Sequence, residues 1–346
     1  MANPFLSRPY FHDEQAAIDY LEARLWPQGP ICPKCGGEGY ALNGVMGKAL
    51  YYPKSHKRAG ELKRAPQERL GLKKCRACRA QFTLRLGTIF EDSHVPLHLW
   101  LQAIALLAAS KKGISSNQLH RTLGITLKSA WHLSHRIRLA MAMKAGGLPP
   151  MGGAGKVVAV DETYQGRVET PTEFRKDTGA PLKRGKKGYR GPANRRAIIA
   201  LVERGGNARI FHIAEANAAT VQRIIRENIH PDSRIQTDAS SLYKFVGKEF
   251  AEHKTVEHSM GEYVRYEEGG VVHNNDCESV FSILKKGLGA VYQHCKEKHL
   301  FRYVDEFQFR HNNRIALGVN DEARFDAVIA GVVGKRLTYK AADRPA

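Results

Sequence analysis

The sequence predicts an α/β protein whose C-terminal half forms a mixed sheet flanked by helices and whose N-terminal half is basic and largely helical. Three observations lead to this prediction. Strand-like and helix-like stretches alternate beyond residue 156, two C-x-x-C pairs lie within residues 32–78, and a helix–glycine–helix pattern runs from residue 115 to 143. The 346 residues are enough for two or three compact units, each with a core.

The chain is strongly basic, with a formal net charge of +20 and an isoelectric point near 9.8. Residues 1–150 hold 22 lysines and arginines against 9 acidic residues, so most of the excess lies in the N-terminal part. Because lysine and arginine bind nucleic acids by displacing counterions from phosphates, a polyanionic partner is expected. A basic protein without such a partner remains the alternative.

No apolar run reaches the roughly 18 residues needed to span a bilayer, and residues 1–30 lack a signal-peptide pattern. Four of the six cysteines form C-x-x-C pairs, which favours a metal site over disulfides and predicts a cytoplasmic protein. The expected divisions are a helical segment (1–30), a cysteine-rich region with a basic insertion (31–92), a helical region (93–145), a Gly/Pro-rich linker (146–155), an α/β domain (156–320) and a C-terminal tail (321–346).

The two cysteine pairs predict a structural zinc site. Its ligands are Cys32, Cys35, Cys75 and Cys78, which supply four thiolates for a tetrahedral ion, and Gly36 suits the tight turn after the first pair. The 39 residues between Cys35 and Cys75 exceed the usual spacing, but a ribbon tolerates a long insertion because loop-closure entropy grows slowly with length. A redox dithiol and a chance arrangement are the alternatives.

Residues 115–143 predict a helix-turn-helix. A short helix ends at Gly124, and a second begins at Leu127 behind Thr126 as N-cap. Its apolar stripe should form the core, leaving other faces for DNA. The predicted contacts are Lys128, Ser129, His132 and Arg136. A helical hairpin that only packs on its neighbour is the alternative.

Three acidic residues predict a second metal site. Asp161 ends an apolar strand, Asp238 ends a second strand, and Glu278 lies near the start of a helix, so all three can meet at one sheet edge. Two divalent metal ions need such a set of oxygen ligands, one to activate the attacking oxygen and one to stabilise the leaving oxygen. Lys285 lies two helical turns after Glu278 on the same face and is predicted to contact a DNA phosphate.

Two neighbouring acids compete for these roles. Glu162 should point to the opposite side of the strand from Asp161, and Asp276 is about 200° from Glu278 around a helix.

The basic loop at residues 183–190 is either a DNA clamp or a solvated loop.

The sequence resembles the bacterial insertion-sequence transposases of the DDE superfamily that carry an N-terminal zinc ribbon, of the type with an ISXO2-like transposase domain. The resemblance covers about residues 15–320. The stretches that carry it, in order, are Cys32-Pro-Lys-Cys35, Cys78-Arg-Ala-Gln-Phe82, Gly87-Thr-Ile-Phe-Glu-Asp-Ser93, Ser110-Lys-Lys-Gly-Ile-Ser-Ser116, Val160-Asp-Glu-Thr163, Thr237-Asp238, His273-Asn-Asn-Asp-Cys-Glu278, Leu284-Lys-Lys-Gly287 and Arg310-His-Asn-Asn-Arg314.

This resemblance implies an RNase H-like mixed sheet behind a zinc ribbon and a helix-turn-helix, with Asp161, Asp238 and Glu278 as the ligands of two Mg²⁺ or Mn²⁺ ions. It implies cleavage and strand transfer at inverted repeats of double-stranded DNA, recognised by the ribbon and the helix-turn-helix. A homodimer or larger assembly, associated with the bacterial nucleoid, is also implied. A DNA-binding regulator without catalysis and a nuclease without strand transfer are the alternatives. The long insertion and the pair Asp276-Cys277 depart from the family pattern.

Overall fold

The structure is a computed structural model that describes residues 4–42, 45–46, 50–64, 67–143, 148–168, 195–257, 260–268 and 270–338. These residues form two compact units. The first takes in the described residues of Met1–Ala109, Ser116–Ala140 and Asp321–Ala341, and the second those of Ser110–Ser115 and Met141–Asn320. The basic loop at residues 183–190 lies outside the described residues.

The helices are numbered in chain order. They are α1 (Glu14–Leu25), α2 (Leu97–Ala109), α3 (Ser116–Leu123), α4 (Leu127–Met141), α5 (Ala218–Asn228), α6 (Asn275–Lys286), α7 (Glu297–Asn312) and α8 (Asp321–Ala330). The strands of the first unit are β1 (Gly39–Ala41), β2 (Val45–Met46), β3 (Leu50–Tyr51), β4 (Leu62–Arg64), β5 (Gln67–Glu68), β6 (Lys73–Cys75) and β7 (Gln81–Phe82). Those of the second are β8 (Val157–Arg167), β9 (Arg195–Glu203), β10 (Ala208–Ile213), β11 (Arg234–Asp238), β12 (Glu252–Val256), β13 (Val264–Glu267) and β14 (Gly270–His273).

A five-stranded mixed sheet in the order β10-β9-β8-β11-β12 is the centre of the second unit. Strands β8, β9 and β10 pair antiparallel, whereas β11 runs parallel to both β8 and β12. Three antiparallel strands followed by two parallel ones, with the first strand in the middle, is the RNase H arrangement. The predicted fold class is therefore confirmed.

Each face of this sheet is covered by its own apolar core. Ala159 of β8 belongs to the core formed with α6 and α7, whereas its neighbours Val158 and Val160 belong to the core formed with α5. This alternation follows from the two-residue period of a strand. The sheet is thus buried on both sides, and the orientation of each side chain on β8 is fixed by register.

The outer edge of β10 is covered by polar side chains of α7. Asn312 accepts a hydrogen bond from the N–H of Ala208 over 2.7 Å and donates one to its carbonyl over 2.9 Å. Gln308 accepts from the N–H of Ile210 over 2.6 Å. These bonds satisfy backbone groups that an edge strand otherwise leaves open to another chain. Asn312, one of the residues that carry the family resemblance, therefore has a structural role.

Aromatic and apolar side chains hold the first unit together. Phe11 is fully buried and packs against Phe325 of α8 with 5.6 Å between ring centroids. Tyr20 of α1 donates to Asp326 over 2.7 Å. The segment expected to be a C-terminal tail therefore contains a helix, with Phe325, Val328 and Ile329 all buried.

The second half of the glycine-rich segment, from Met151 onward, packs on the second unit. The N–H of Met151 donates to the carbonyl of Asn228 over 2.8 Å, and the N–H of Gly153 donates to Ser233 Oγ over 2.8 Å. These contacts fix the entry into β8. Within the described part of the chain, no helix combines the length and apolarity needed to cross a membrane.

Candidate metal centres

The four predicted zinc ligands lie together. Every pair of their sulfur atoms is within 4.8 Å, with 3.7 Å between Cys32 and Cys78 and 3.5 Å between Cys35 and Cys75. Tetrahedral zinc with Zn–S bonds of about 2.3 Å requires sulfur–sulfur distances of about 3.8 Å. The cysteine group therefore fits a structural zinc ion.

The two knuckles that carry these cysteines are built alike. The N–H of Cys32 donates to the carbonyl of Gly37, and the N–H of Cys75 to that of Ala80, over 2.8 and 2.9 Å. Gly36 has φ = +73°, as its predicted role in a tight turn requires. In the second knuckle the N–H of Cys78 points at Cys75 Sγ over 3.4 Å, and this bond lowers the pKa of the Cys75 thiol to about 7, which favours the metal-binding thiolate.

The long insertion between the knuckles forms a β ladder, in which β2 pairs with β5 and β3 with β4. At its tip the ring of Tyr52 stacks on His56 with 4.4 Å between centroids. Arg58 and Lys63 lie over the same ring at 5.0 and 5.7 Å. The insertion therefore presents an ordered basic tip.

Asp161 and Asp238 lie on neighbouring strands and the same face of the sheet. The parallel register sets Gln236 opposite Ala159, so two residues further on Asp238 is level with Asp161. Asp161 does not end its strand as predicted, because β8 continues to Arg167 in pairing with β9. It lies instead two residues beyond Ala159, where the parallel pairing of β8 with β11 ends.

Glu278 lies in the first turn of α6, whose start is fixed to the sheet beside Asp161. Asn274 donates to the carbonyl of Val160 over 3.4 Å, and Cys277 Sγ donates to that of Ala200 over 3.7 Å. Ala200 is the register partner of Asp161. These contacts bring the helix that carries Glu278 to the strand that carries Asp161.

The three acids interact electrostatically. Burial, together with the charges of Asp238, Glu162 and Glu278, raises the pKa of Asp161 to about 8. Like charges held together in a partly desolvated place disfavour the ionised form, and a divalent cation reverses that effect. The carboxylates do not form as tight a group as the cysteines do among the described side chains. Their donor chemistry nonetheless fits Mg²⁺ or Mn²⁺.

The two rival acids have other partners. Glu162 accepts a short hydrogen bond from the hydroxyl of Tyr243, which belongs to the α5 core, so it leaves β8 on the opposite face from Asp161. Burial raises the pKa of both groups. Asp276 accepts from Arg204 Nε over 3.1 Å.

Arg204 was not found by the sequence analysis. It follows β9 and, besides Asp276, donates to the carbonyl of Val271 and to Gln236 Oε1, both over 2.9 Å. Gln236 is 95% buried, although Ile235 is the one apolar residue of its strand, so the sequence pattern gives no signal for its burial. No local pattern marks Arg204.

Lys285, in the last turn of α6, is exposed, and so is Ser282 on the same side of the helix.

In the first unit, α3 and α4 are joined by a short turn, with φ = +65° at Gly124, and Thr126 Oγ1 accepts from the N–H of Ser129 over 3.1 Å. This is the predicted helix–turn–helix layout. The stripe expected in the core is buried: Ala130, Leu133, Ile137 and Met141.

The predicted DNA-contacting residues of α4 differ in accessibility. Lys128 is exposed, and Ser129 and His132 are half-buried. Arg136 is only 4% exposed, and its guanidinium donates to the carbonyls of Leu337 and Glu91 over 3.1 and 2.5 Å. Its placement on a DNA-facing side is therefore wrong, because it satisfies backbone acceptors inside the unit.

Comparison with family models gives two matches. Residues 153–312 match the ISXO2-like transposase domain, and residues 12–43 match the transposase zinc-ribbon domain. The ribbon match takes in Cys32 and Cys35 but ends before the second pair, whose place in the site follows from the sulfur distances above.

A protein of transposable element ISH50 from Halobacterium salinarum is 26% identical over 310 residues, which are 87% of this chain and 91% of that protein. Among solved structures, the Mos1 strand transfer complex is 13% identical over 66% of this chain and 73% of that one, with a TM-score of 0.24. The Mos1 transposase paired-end complex with left transposon end is 12% identical over 66% and 74%, with a TM-score of 0.26.

Proposed function

We propose that this chain, which carries the ISXO2-like transposase domain behind a transposase zinc ribbon and so belongs to that family of transposases, cleaves DNA at the ends of its element and joins those ends to target DNA. The observation that carries the proposal is the arrangement of the acids within the matched domain: Asp161 and Asp238 are level on one face of neighbouring strands, and the start of α6, the helix of Glu278, is hydrogen-bonded to the strand of Asp161. Acids that repel one another at a sheet edge are suited to divalent ions.

Asp161, Asp238 and Glu278 would hold two Mg²⁺ or Mn²⁺ ions. When bound, such ions supply charge neutralisation for an in-line displacement at a phosphodiester. Lys285, exposed on the same helix as Glu278, would hold a DNA phosphate beside the acids. A cation there restrains the strand without taking part in bond exchange.

Recognition of the element ends is assigned to the first unit. Lys128, exposed at the start of α4, together with Ser129 and His132, would contact DNA, while the zinc-bound ribbon and its basic tip would contact the phosphate backbone. Because two element ends must be brought together for joining, a homodimer or larger assembly on double-stranded DNA is part of the proposal.

The experiment is cleavage of labelled DNA carrying the repeats that flank the gene, in Mg²⁺ or in EDTA, with the wild type and Glu278→Gln. We expect nicking at the repeat boundary that requires the metal and is lost in the variant, and joined products when target DNA is added. Nicking without joined products would point to a nuclease. Binding without nicking, under conditions that pair the ends, would favour a regulator derived from a transposase.

A further inference from the structure

Arg204 joins all three elements that carry the acids. Its own N–H donates to the carbonyl of Val157 at the start of β8 over 2.9 Å. Its guanidinium donates to Gln236 of β11 and to Asp276 of α6, over 2.9 and 3.1 Å. It also donates to the carbonyls of Val271 and His273 at 2.9 and 3.3 Å, which ties in β14. One residue thus connects four separate elements, β8 through its backbone and the other three through its side chain.

Besides the ring of His273, at 3.3 Å, Arg204 contacts two side chains that stand in the same sequence relation to the acids. Gln236 precedes Asp238 by two residues on β11 and therefore shares its face. Asp276 precedes Glu278 by two residues in the first turn of α6. Gln236 is held in turn, because it accepts from the N–H of His273 over 3.0 Å and donates to the carbonyl of Val271 over 3.2 Å. A displacement of Arg204 would therefore alter the positions of both β11, which carries Asp238, and α6, which carries Glu278.

We propose that Arg204 is a positioning residue, which fixes the first turn of α6 against β11 and so sets where Glu278 lies relative to Asp161 and Asp238. The inference rests on the proposed function, because it takes these acids to be ligands of divalent ions. Both residues of the pair Asp276-Cys277 have defined partners in the structure. Asp276 accepts a hydrogen bond from Arg204, and Cys277 is fully buried with its thiol donating to the carbonyl of Ala200.

The chemistry of the side chain matters at this position. A guanidinium presents five N–H donors in a planar fork, so Arg204 can serve Asp276, Gln236 and the two carbonyls together. A lysine keeps the charge but offers a compact ammonium that cannot span the same acceptors. Arg204→Lys therefore retains an ion pair with Asp276 while breaking the connection to β11, which separates positioning from charge.

The test is the affinity of the acids for Mn²⁺, measured on the zinc-loaded full-length protein from the EPR signal of free Mn²⁺. Arg204→Lys and Asp276→Asn are compared with the wild type. Arg226→Lys is the matched control, because Arg226 on α5 makes an exposed two-bond ion pair with Glu249 at 2.7 and 2.6 Å and contacts none of the acids. Hydrogen exchange at the amides of Cys277 and Glu278 reports the order of the first turn.

We expect Arg204→Lys to weaken Mn²⁺ binding by about tenfold, as is typical when the support of a metal ligand is lost. Asp276→Asn should weaken it less, because an amide oxygen still accepts from Arg204. Exchange in the first turn of α6 should rise in both variants, and Arg226→Lys should change neither quantity. If Arg204→Lys fails to fold, Asp276→Asn alone decides the matter by the same two measurements.

Unchanged Mn²⁺ affinity in these variants, with binding abolished by Asp161→Asn, would overturn the positioning role and leave the proposed function standing. An Mn²⁺ affinity that is unchanged in both Asp161→Asn and Glu278→Gln would overturn the proposed ion site itself, and with it the role of Arg204.

Discussion

Asp238 lies level with Asp161 on the adjacent parallel strand, and both carboxylates leave the same face of the sheet. Neighbouring strands are about 4.8 Å apart, so the two charges repel strongly unless something neutralises them. Glu162, next to Asp161 in sequence, leaves by the other face and bonds Tyr243. The two-residue period of the strand therefore places these adjacent acids on opposite faces of the sheet, in different surroundings.

The first prediction separates these two acids. Asp161→Asn should reduce cleavage by at least about a hundredfold, since loss of a metal ligand removes several kcal/mol of transition-state stabilisation. Glu162→Gln is the matched control, which retains the hydrogen bond to Tyr243 and should keep metal-dependent cleavage within about threefold of the wild type. The measurement is single-turnover nicking of DNA carrying the element end, with DNA binding recorded in parallel. Equal losses in the two variants would contradict the assignment.

The second prediction concerns pH. The pKa of Asp161 is raised from 3.8 to about 8, so between these values the folded state binds more protons than the unfolded state. The free energy of unfolding therefore falls as pH rises through this range, by a few kcal/mol in all. In zinc-loaded protein free of other divalent ions, Tm should drop less from pH 5 to 8 in Asp161→Asn than in the wild type.

Added Mn²⁺ should restore the stability of the wild type at pH 8 but not that of Asp161→Asn, because binding to the folded state alone raises its stability. Scanning calorimetry gives both comparisons. Tm curves that run parallel with pH in the two proteins would show that Asp161 titrates normally.

The third prediction concerns the cysteines. Cys75→Ser should reduce bound zinc from one ion to well below one per chain and unfold the ribbon, because binding of the metal supplies much of the folding free energy of such small units. Cys295→Ser is the control, since Cys295 lies outside the four-cysteine group. Zinc per chain is measured by mass spectrometry under native conditions. Full occupancy in Cys75→Ser would remove Cys75 from the ligand set.

Much of this architecture is available from sequence, for identifiable reasons. Helix α5 follows from apolar periodicity, and the cysteine and acid sets follow from spacing and position. The end of β8 was missed because Glu-Thr-Tyr-Gln after Asp161 alternates between two buried faces rather than continuing an apolar run. Helix α8 had a visible signal, since Phe325, Val328 and Ile329 recur at helical spacing.

Contacts between distant residues could not be predicted in this way. Arg136 is buried because Glu91 and Leu337, far from it in sequence, present carbonyls to its guanidinium. From α4 alone, an arginine beside a core stripe looks like a surface residue. Arg204 likewise gains its importance from three elements that follow it in the chain. Long-range polar networks of this kind need the fold before they can be recognised.

The fourth prediction follows from this burial. Arg136→Ala should lower the free energy of unfolding by about 2–3 kcal/mol, because it leaves two backbone acceptors without their charged donor. Lys128→Ala should leave stability unchanged and weaken DNA binding, with the slope of log affinity against log salt falling by about 1. Urea unfolding and fluorescence anisotropy measure the two effects. If Arg136→Ala were as stable as the wild type but bound DNA more weakly, Arg136 would be a DNA-contacting residue after all.

The last prediction concerns the basic tip of the ribbon insertion. Lys54, Lys57 and Lys63 are exposed there, around the stack of Tyr52 on His56. If the tip lies along the phosphate backbone, replacing all three lysines by alanine should reduce the salt slope of DNA binding by as much as about 3, since each phosphate contact contributes roughly 0.9. Replacement by arginine is the matched control, which retains charge and slope. Zinc content should stay at one ion in both variants, because the tip is separated from the cysteines by the β ladder. An unchanged slope in the alanine variant, with zinc retained, would show that the insertion does not touch DNA and that end recognition is confined to the remaining surface of the ribbon and to α4.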